Sequence, residues 1–152
     1  MYRRILVAVE NSAADRTILD HVAALAKVTG AELLLVHVAD GWAARNFDQL
    51  KLRESEEMKE DREYIEAVAD TLVKDGYQAE AILAGGDPAK EIAACAVREN
   101  CDLIAMATHG HRGLSDVFRG SVASELRHIS MLPVLMVRGN PESAEPAPRS
   151  VT

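Results

Sequence analysis

The chain has 152 residues, of which 48% are hydrophobic and 27% charged, so we expect one globular domain with a core of its own. The formal net charge of −7 argues against a nucleic-acid or anionic-membrane surface, and no apolar run approaches the ~20 residues of a membrane span. Cys95 and Cys101 lack a redox or metal-binding spacing, and we interpret them as small buried side chains of a reducing, cytoplasmic compartment.

The first predicted strand covers residues 5–9, an apolar run rich in β-branched side chains that is typical of a strand covered on both faces. The run is short and ends at Glu10 without a cleavage site of small residues, which favours a strand over a signal peptide. Ser12 is the predicted N-cap of the first helix, with Asp15 in its first turn. Gly30 is the residue that we expect to end this helix.

The middle of the chain repeats this alternation of strand and helix. Residues 33–38 predict a second buried strand, and the charged segment that follows predicts a loop and a solvated helix, which Gly76 ends. A third, weaker strand is predicted at residues 79–84. Asp87 then has the features of an N-cap, because Pro88 follows it at the first helical position.

The last predicted elements enclose a loop that contains several glycines. Residues 102–107 predict a fourth strand, and the next helix is expected around Val122. Residues 132–137 predict a fifth strand. Pro133 near its beginning is typical of a sheet edge or of the first residue of a strand.

The order β-α-β-α-β-α-β-α-β predicts an α/β fold: a single Rossmann-like domain with a five-stranded parallel sheet of order 3-2-1-4-5 and helices on both faces. The domain is expected over residues 1–139, followed by a disordered tail at residues 140–152, which is rich in Pro, Ser and Glu. Ligands of such sheets bind outside the carboxyl ends of the strands, where the strand order reverses. The loops after Val9, Val38 and Ala107 are therefore the expected ligand site.

The end of the fourth strand and the residues after it have the composition of a phosphate-binding loop. The strand ends in Met106-Ala107-Thr108-His109-Gly110, and Gly120-Ser121-Val122 is expected at the start of the following helix. Glycine lets backbone N–H groups approach a phosphate, a helix N-terminus adds positive potential, and Ser121 can donate its hydroxyl. The chain has neither a Walker Gly-Lys-Ser/Thr nor a GxGxxG after the first strand, and these glycines alone fit a plain turn equally well.

The spacing of this loop resembles the ATP-binding signature of universal stress proteins, which is Gly-x-x-Gly, nine residues, and Gly-Ser/Thr. The chain is similar to that family over residues 2–138. The further motifs that carry the resemblance are Ile5-Leu6-Val7-Ala8-Val9-Glu10-Asn11-Ser12, Leu35-Val36-His37-Val38, Gly86-Asp87-Pro88 and Leu132-Pro133-Val134-Leu135-Met136-Val137. Two residues depart from the pattern: Ala107 stands in place of the first glycine, and Glu10 stands where nucleotide-binding members carry Asp.

The resemblance implies a role for each residue that matches the family's motifs. The residues that would lie along the adenine and ribose are Ala8, Val9 and Glu10, with Val38 against the base, and with Met106 and Ala107 on the ribose side. The residues that would hold the phosphates, through backbone N–H groups and the Ser121 hydroxyl, are Gly110, Gly120, Ser121 and Val122. His109 and Arg112 are further phosphate-site candidates, with a solvated histidine and a surface arginine as the alternatives.

Three functional classes remain open, although the sequence shows no nucleophile–base pair and no metal-ligand cluster, which weighs against an enzyme. The first is an ATP-binding stress-response or regulatory protein that signals through bound nucleotide with little or no hydrolysis. The second is an adaptor of the same fold that has lost nucleotide binding, and the third is an α/β enzyme that uses a nucleotide, such as a slow ATPase or an adenylating ligase. We expect the first class, because Gly110 and Gly120-Ser121 retain the phosphate site of the resemblance.

For the first class the expected ligand is ATP in preference to GTP, with Mg²⁺ as an accompanying ion and ADP or AMP as alternative ligands. The resemblance implies a homodimer through the fifth strand, residues 133–138, whose apolar edge is a liability unless it is covered. A further protein partner stays open, whereas nucleic-acid binding and membrane insertion are not expected. No catalytic and no metal-ligating residue is predicted.

Overall fold

The computed structural model describes residues 1–39, 56–108 and 114–139, and for residues 57 and 114–120 the backbone alone. The described elements in chain order are β1 (Arg4–Ala8), α1 (Ala14–Thr29), β2 (Glu32–Ala39), α2 (Glu56–Lys74), β3 (Ala79–Gly85), α3 (Pro88–Arg98), β4 (Leu103–Thr108), α4 (Leu114–Ile129) and β5 (Val134–Arg138). Every strand lies within two residues of its predicted bounds. Among the described helices, none is long and apolar enough to cross a membrane.

The five strands form one parallel sheet in the order β3-β2-β1-β4-β5, which confirms the predicted α/β fold. The strand β1 is central, and its last residue, Ala8, lies opposite Val36 of β2 and Met106 of β4. Leu6 and Val7 are both fully buried although they point to opposite faces, because helices cover the sheet on both sides. The continuous apolar runs of the sequence therefore reflect a sheet without a solvated face.

The core consists of two layers that the sheet separates. One layer packs α1 and α2 against the face to which Ile5 and Val7 point. The other packs α3 and α4 against the face to which Leu6 points. Successive residues of each strand therefore belong to different layers, and each contacts the pair of helices on its own side of the sheet.

Left-handed residues end three of the helices. Gly30 has φ of 73° and donates its N–H to the Ala26 carbonyl at 2.7 Å, and Gly76 has φ of 96°, so both predicted helix ends are confirmed. Asn100, with φ of 56°, is the left-handed residue that follows α3. The next residue, Cys101, donates its N–H to the Ala96 carbonyl at 2.8 Å. Asparagine tolerates this conformation better than most residues, and sequence analysis missed it.

The two predicted N-caps have different outcomes. Asp87 caps α3 as expected, and its carboxylate accepts a hydrogen bond from the Lys90 N–H at 3.2 Å. The prediction for Ser12 is wrong, because Ala13 has the cap position of α1 and no side chain caps this helix. Asp15 engages the N–H groups of the preceding turn instead, as described below.

The helix expected around Val122 begins at Leu114, so Gly120 lies inside α4 and not at its start, and that part of the prediction is wrong. The apolar residues Leu114, Val117 and Phe118 extend the helical spacing toward the N-terminus. A single internal glycine costs a helix only about 1 kcal/mol, so Gly120 need not end one. The N–H groups of residues 120–122 consequently belong to the hydrogen-bond ladder of α4.

Cys95 and Cys101 are free thiols in the α3/α4 layer of the core, as expected for small buried side chains. Burial raises the pKa of both thiols, that of Cys101 to about 11, and the nearby Arg4 offsets only part of the effect on Cys101. The thiolate, which is the reactive form, is therefore scarce in the folded protein.

We expect Cys101 of the native protein to react with Ellman's reagent at pH 8 about 100-fold more slowly than a free thiol, because a pKa near 11 lowers its thiolate fraction by that factor, and Cys95 also to react more slowly than a free thiol. The control is the same reaction in guanidinium chloride, where both cysteines should react quickly. Fast labelling of the native protein would contradict the burial of these side chains.

Candidate functional site

The strand order reverses beside β1. The chain proceeds from β1 to β2 and β3 on one side, and then crosses to the other side of β1 to form β4. The connection after β1 leads to α1 on one face of the sheet, whereas the connection after β4 leads to α4 on the other. The carboxyl ends of β1 and β4 therefore border the crevice in which ligands of such sheets bind.

Three of the residues that are predicted to contact the adenine or the ribose share one face of the sheet at this edge. Met106 is a buried member of the α3/α4 layer, and the half-buried Ala8 and Val38 pack against the same layer. Ala8 is the smallest of them and lies on the central strand, directly beside Met106. A small side chain between larger ones leaves a shallow apolar surface, of the kind that a flat ring can contact.

Val9 and Ala107 belong to the opposite layer, the one that packs against α1. Their exposed fractions are only 3% and 5%, so neither side chain lies on the surface that Ala8, Val38 and Met106 form. The Val9 N–H donates to the Val36 carbonyl at 2.9 Å, and the Val9 carbonyl accepts from Nδ1 of His37 at 2.9 Å. Val9 therefore holds the end of β1 to β2, and its N–H is not available to a ligand.

The turn after β1 is organised around the buried carboxylate of Asp15, which is 1% exposed. Its Oδ1 accepts from the Glu10 N–H at 2.9 Å, and its Oδ2 accepts from the N–H groups of Asn11 and Ser12 at 2.8 and 3.3 Å. Asn11 has φ of 60°, a conformation that asparagine accommodates. Three consecutive N–H groups thus point inward at a protein carboxylate and leave this turn without a free anion-binding site.

Tyr64 of α2 completes the coordination of that carboxylate. Its hydroxyl donates to Oδ2 of Asp15 at 2.7 Å. Burial raises the pKa of the Tyr64 hydroxyl, and the hydrogen bond to Asp15 and the charge of Asp15 raise it further. The hydroxyl therefore stays protonated, and remains a donor, even in alkaline solution.

Asp61, one helical turn before Tyr64, makes a second connection between α2 and the end of the sheet. Its Oδ2 lies 3.0 Å from Nε2 of His37, and its Oδ1 accepts from Nδ2 of Asn11 at 3.1 Å. A carbonyl can only accept, so Nδ1 of His37 is the donor to Val9. We call Asn11, Asp15, His37, Asp61 and Tyr64 the polar cluster.

Sequence analysis missed the polar cluster, although one part of it could have been recognised. Asp61 and Tyr64 are three residues apart on a helix and therefore share a face. His37 interrupts the apolar run of β2, and the structure shows polar contacts at both of its ring nitrogens. Only the tertiary structure shows that these residues meet Asp15.

The predicted phosphate-binding residues are described only in part. Ser121 is exposed on α4, and Val122 is half-buried and packs against the same layer as Met106. The backbone N–H groups of Gly120, Ser121 and Val122 lie inside α4, and their contact with a phosphate stays a prediction. His109, Gly110 and Arg112 lie outside the described residues, as does the predicted tail, residues 140–152.

Glu10 follows β1 directly and is half-buried. One of its carboxylate oxygens, Oε2, accepts from the Ser12 hydroxyl at 3.3 Å. Its N–H is held by Asp15, so the backbone of this residue is fixed while the carboxylate extends from the turn. Glu10 is thus the acidic side chain that the structure places next to the end of the central strand.

A separate groove with a volume of about 750 Å³ runs between α1 and α2. Its lining includes Leu19, Val68 and Tyr77. It lies on the α1/α2 side of the sheet, opposite the surface of Ala8, Val38 and Met106, and so is distinct from the candidate site. Within the described ranges, no group of three or more His, Cys, Asp or Glu side chains is placed to hold a metal ion.

Comparison with known proteins agrees with this architecture. The family model described as "Universal stress protein family" matches residues 1–138. The universal stress protein YxiE of Bacillus subtilis is 31% identical over 151 residues, an alignment that covers 91% of this chain and 100% of that protein.

Two solved structures illustrate the structural similarity. The structure of MJ0577, a universal stress protein of Methanocaldococcus jannaschii, has a TM-score of 0.77 and 28% identity, and the match covers 92% of this chain and 98% of that one. A universal stress protein from Archaeoglobus fulgidus, solved in complex with dAMP, has a TM-score of 0.65 and 21% identity, with 90% and 98% of the chains covered. With the family model matching almost all of the described chain, this protein belongs to the universal stress protein family.

Proposed function

We propose that this protein binds ATP at the carboxyl edge of β1, β2 and β4 and acts as a stress-response regulator through the bound nucleotide. The observation that carries the proposal is the apolar surface of Ala8, Val38 and Met106 at the point where the strand order reverses. The dAMP complex of the Archaeoglobus fulgidus relative, which has the same fold, supports an adenine nucleotide as the ligand class.

In this proposal the adenine ring lies on the apolar surface, with Val38 against one side of it. The small side chain of Ala8 provides the depth, and Met106 bounds the surface toward the ribose. Glu10 accepts a hydrogen bond from a ribose hydroxyl, for which its carboxylate is placed by the fixed turn after β1. Val9 and Ala107 contribute by holding the strand ends.

The phosphates are proposed to extend from the ribose toward α4. The exposed hydroxyl of Ser121 donates to a phosphate oxygen, and His109, Gly110 and Arg112 complete this end of the site. Mg²⁺ accompanies ATP on the phosphate oxygens, which are the hard ligands that this ion prefers. ADP and AMP are weaker ligands in this scheme, because they make fewer of these contacts.

One observation favours the alternative of an adaptor that does not bind nucleotide. In α4 the N–H groups of residues 120–122 are engaged within the helix, so they cannot also donate to a phosphate while the helix begins at Leu114. An adaptor would retain the fold and the polar cluster and would show no nucleotide affinity. Direct titration separates the two functions.

We expect calorimetric titration to show binding of ATP and weaker binding of GTP, whose base has a different hydrogen-bonding edge. Ala8→Leu should lower ATP affinity at least about tenfold, because the larger side chain fills the surface on which the base lies. Ala24→Leu is the matched control, since this residue is exposed on α1, and should leave affinity unchanged. No heat with any nucleotide up to millimolar concentration would establish the adaptor.

We expect ATP hydrolysis to be far slower than the ~1–10³ s⁻¹ of typical enzymes. Donors such as the Ser121 hydroxyl stabilise the phosphates in the ground state, and binding that is equal in ground and transition states does not accelerate the reaction. Phosphate release with Mg²⁺ and excess ATP measures the rate. A rate of about one per second or faster, abolished by His109→Ala, would identify an enzyme instead.

We propose that two copies pair through β5, the edge strand beside β4. Val134 to Val137 are half-buried and apolar, and the outer edge of this strand presents backbone groups that antiparallel pairing across a two-fold axis would satisfy. Sedimentation at micromolar concentration should give about twice the chain mass of 16.5 kDa. A species of single-chain mass at that concentration would exclude this pairing.

A further inference from the structure

The turn after β1 requires support from outside itself. It connects the central strand to α1, and the N–H groups of Glu10, Asn11 and Ser12 all need an acceptor, which Asp15 of α1 provides. It also presents Glu10, the proposed ribose ligand. The placement of the Glu10 carboxylate therefore depends on whatever fixes this turn.

The nearest support is Asp15, and the carboxylate of Asp15 in turn depends on α2. Its Oδ2 accepts both the Asn11 and Ser12 N–H groups and the Tyr64 hydroxyl. A carboxylate that is almost fully buried needs each of these donors to compensate for the water that it lacks. Of these donors, the Tyr64 hydroxyl comes from a distant part of the chain, so it links the turn to α2.

Asp61 connects the same helix to the same turn by a second route. It accepts from the Asn11 side chain and contacts His37, which itself holds the Val9 carbonyl. Asp61 and Tyr64 lie one turn apart in the N-terminal half of α2. A shift of this half of α2 would therefore displace both Val9 and Asn11, the residues on either side of Glu10.

We propose that Asp15 and Tyr64 are positioning residues of the nucleotide site, and that their hydrogen bond couples nucleotide affinity to the position of α2. The inference rests on the proposed function, because it concerns the site in which Glu10 meets the ribose. Coupling is reciprocal in binding equilibria, so bound nucleotide also stabilises the N-terminal half of α2. Neither residue contacts the nucleotide in this scheme.

The test is Tyr64→Phe, which keeps the ring and removes the hydroxyl. We expect ATP affinity to fall about fivefold to tenfold, which is the lower end of the range that is typical for coupling between two sites. Tyr77→Phe is the matched control: Tyr77 also lines the groove between α1 and α2, follows the C-terminal end of α2 and should leave affinity unchanged. Thermal unfolding of both variants verifies that they remain folded.

A double-mutant cycle with Glu10→Ala distinguishes positioning from a general loss of structure. If Tyr64 acts through the turn, Tyr64→Phe should have almost no further effect on ATP affinity once Glu10 is absent. Equal effects in both backgrounds would overturn the inference. So would unchanged affinity of Tyr64→Phe while the wild-type protein binds ATP.

Hydrogen exchange without nucleotide provides a second, independent measurement. The N–H groups of Glu10, Asn11 and Ser12 should exchange faster in Tyr64→Phe than in the wild-type protein or in Tyr77→Phe, because Asp15 then holds them less firmly. Unchanged exchange would overturn the role of Tyr64. Absence of ATP binding by the wild-type protein would instead overturn the proposed function, and with it the coupling to nucleotide.

Discussion

The buried carboxylate of Asp15 is the interaction on which the functional end of the sheet depends. An ionised group with 1% exposure is strongly unfavourable unless hydrogen bonds replace its water. Three backbone N–H groups and the Tyr64 hydroxyl supply those bonds. The same bonds fix the turn from Glu10 to Ser12, so the exit of β1 and the start of α1 have one arrangement relative to each other and to α2.

This arrangement also determines which part of a nucleotide the turn after β1 can contact. In many doubly wound sheets the N–H groups of that turn face outward and bind a phosphate. Here they face Asp15, and the negative charge that they would attract is already present in the protein. A nucleotide at this edge would therefore meet β1 with its base and ribose and direct its phosphates toward β4 and α4.

The sequence was sufficient to predict those features that depend on local patterns. The apolar runs gave all five strands, and Gly30 and Asp87 gave helix ends, because each signal is contained within a few residues. The alternation of strands and helices then predicted a parallel sheet, since a helix between two strands returns the chain to the end of the sheet from which it started.

Two kinds of feature were not predicted from the sequence. In the first, two local signals compete for the same role, and in the second, residues far apart in the chain are in contact. Ser12 has the composition of a cap, but Asp15 turns back and engages the N–H groups of the turn. The start of α4 was misplaced because Gly120 was interpreted as a boundary, whereas the apolar spacing continues to Leu114. The contact between Asp15 and Tyr64 joins residues 49 positions apart, and no local pattern could have shown it.

The two departures from the family's signature have different consequences for the proposed site. Ala107 replaces a glycine, but its side chain packs in the α1/α2 layer, so the additional methyl group fills the core and does not enter the crevice. Glu10 keeps the carboxylate that the signature requires on a longer side chain, and the fixed turn restricts where that carboxylate can reach. Both departures are thus compatible with a base and a ribose beside β1. In the proposed site, the base and ribose depend on the sheet and the turn that Asp15 fixes, whereas the number of phosphates accepted depends on the segment between Thr108 and Ser121.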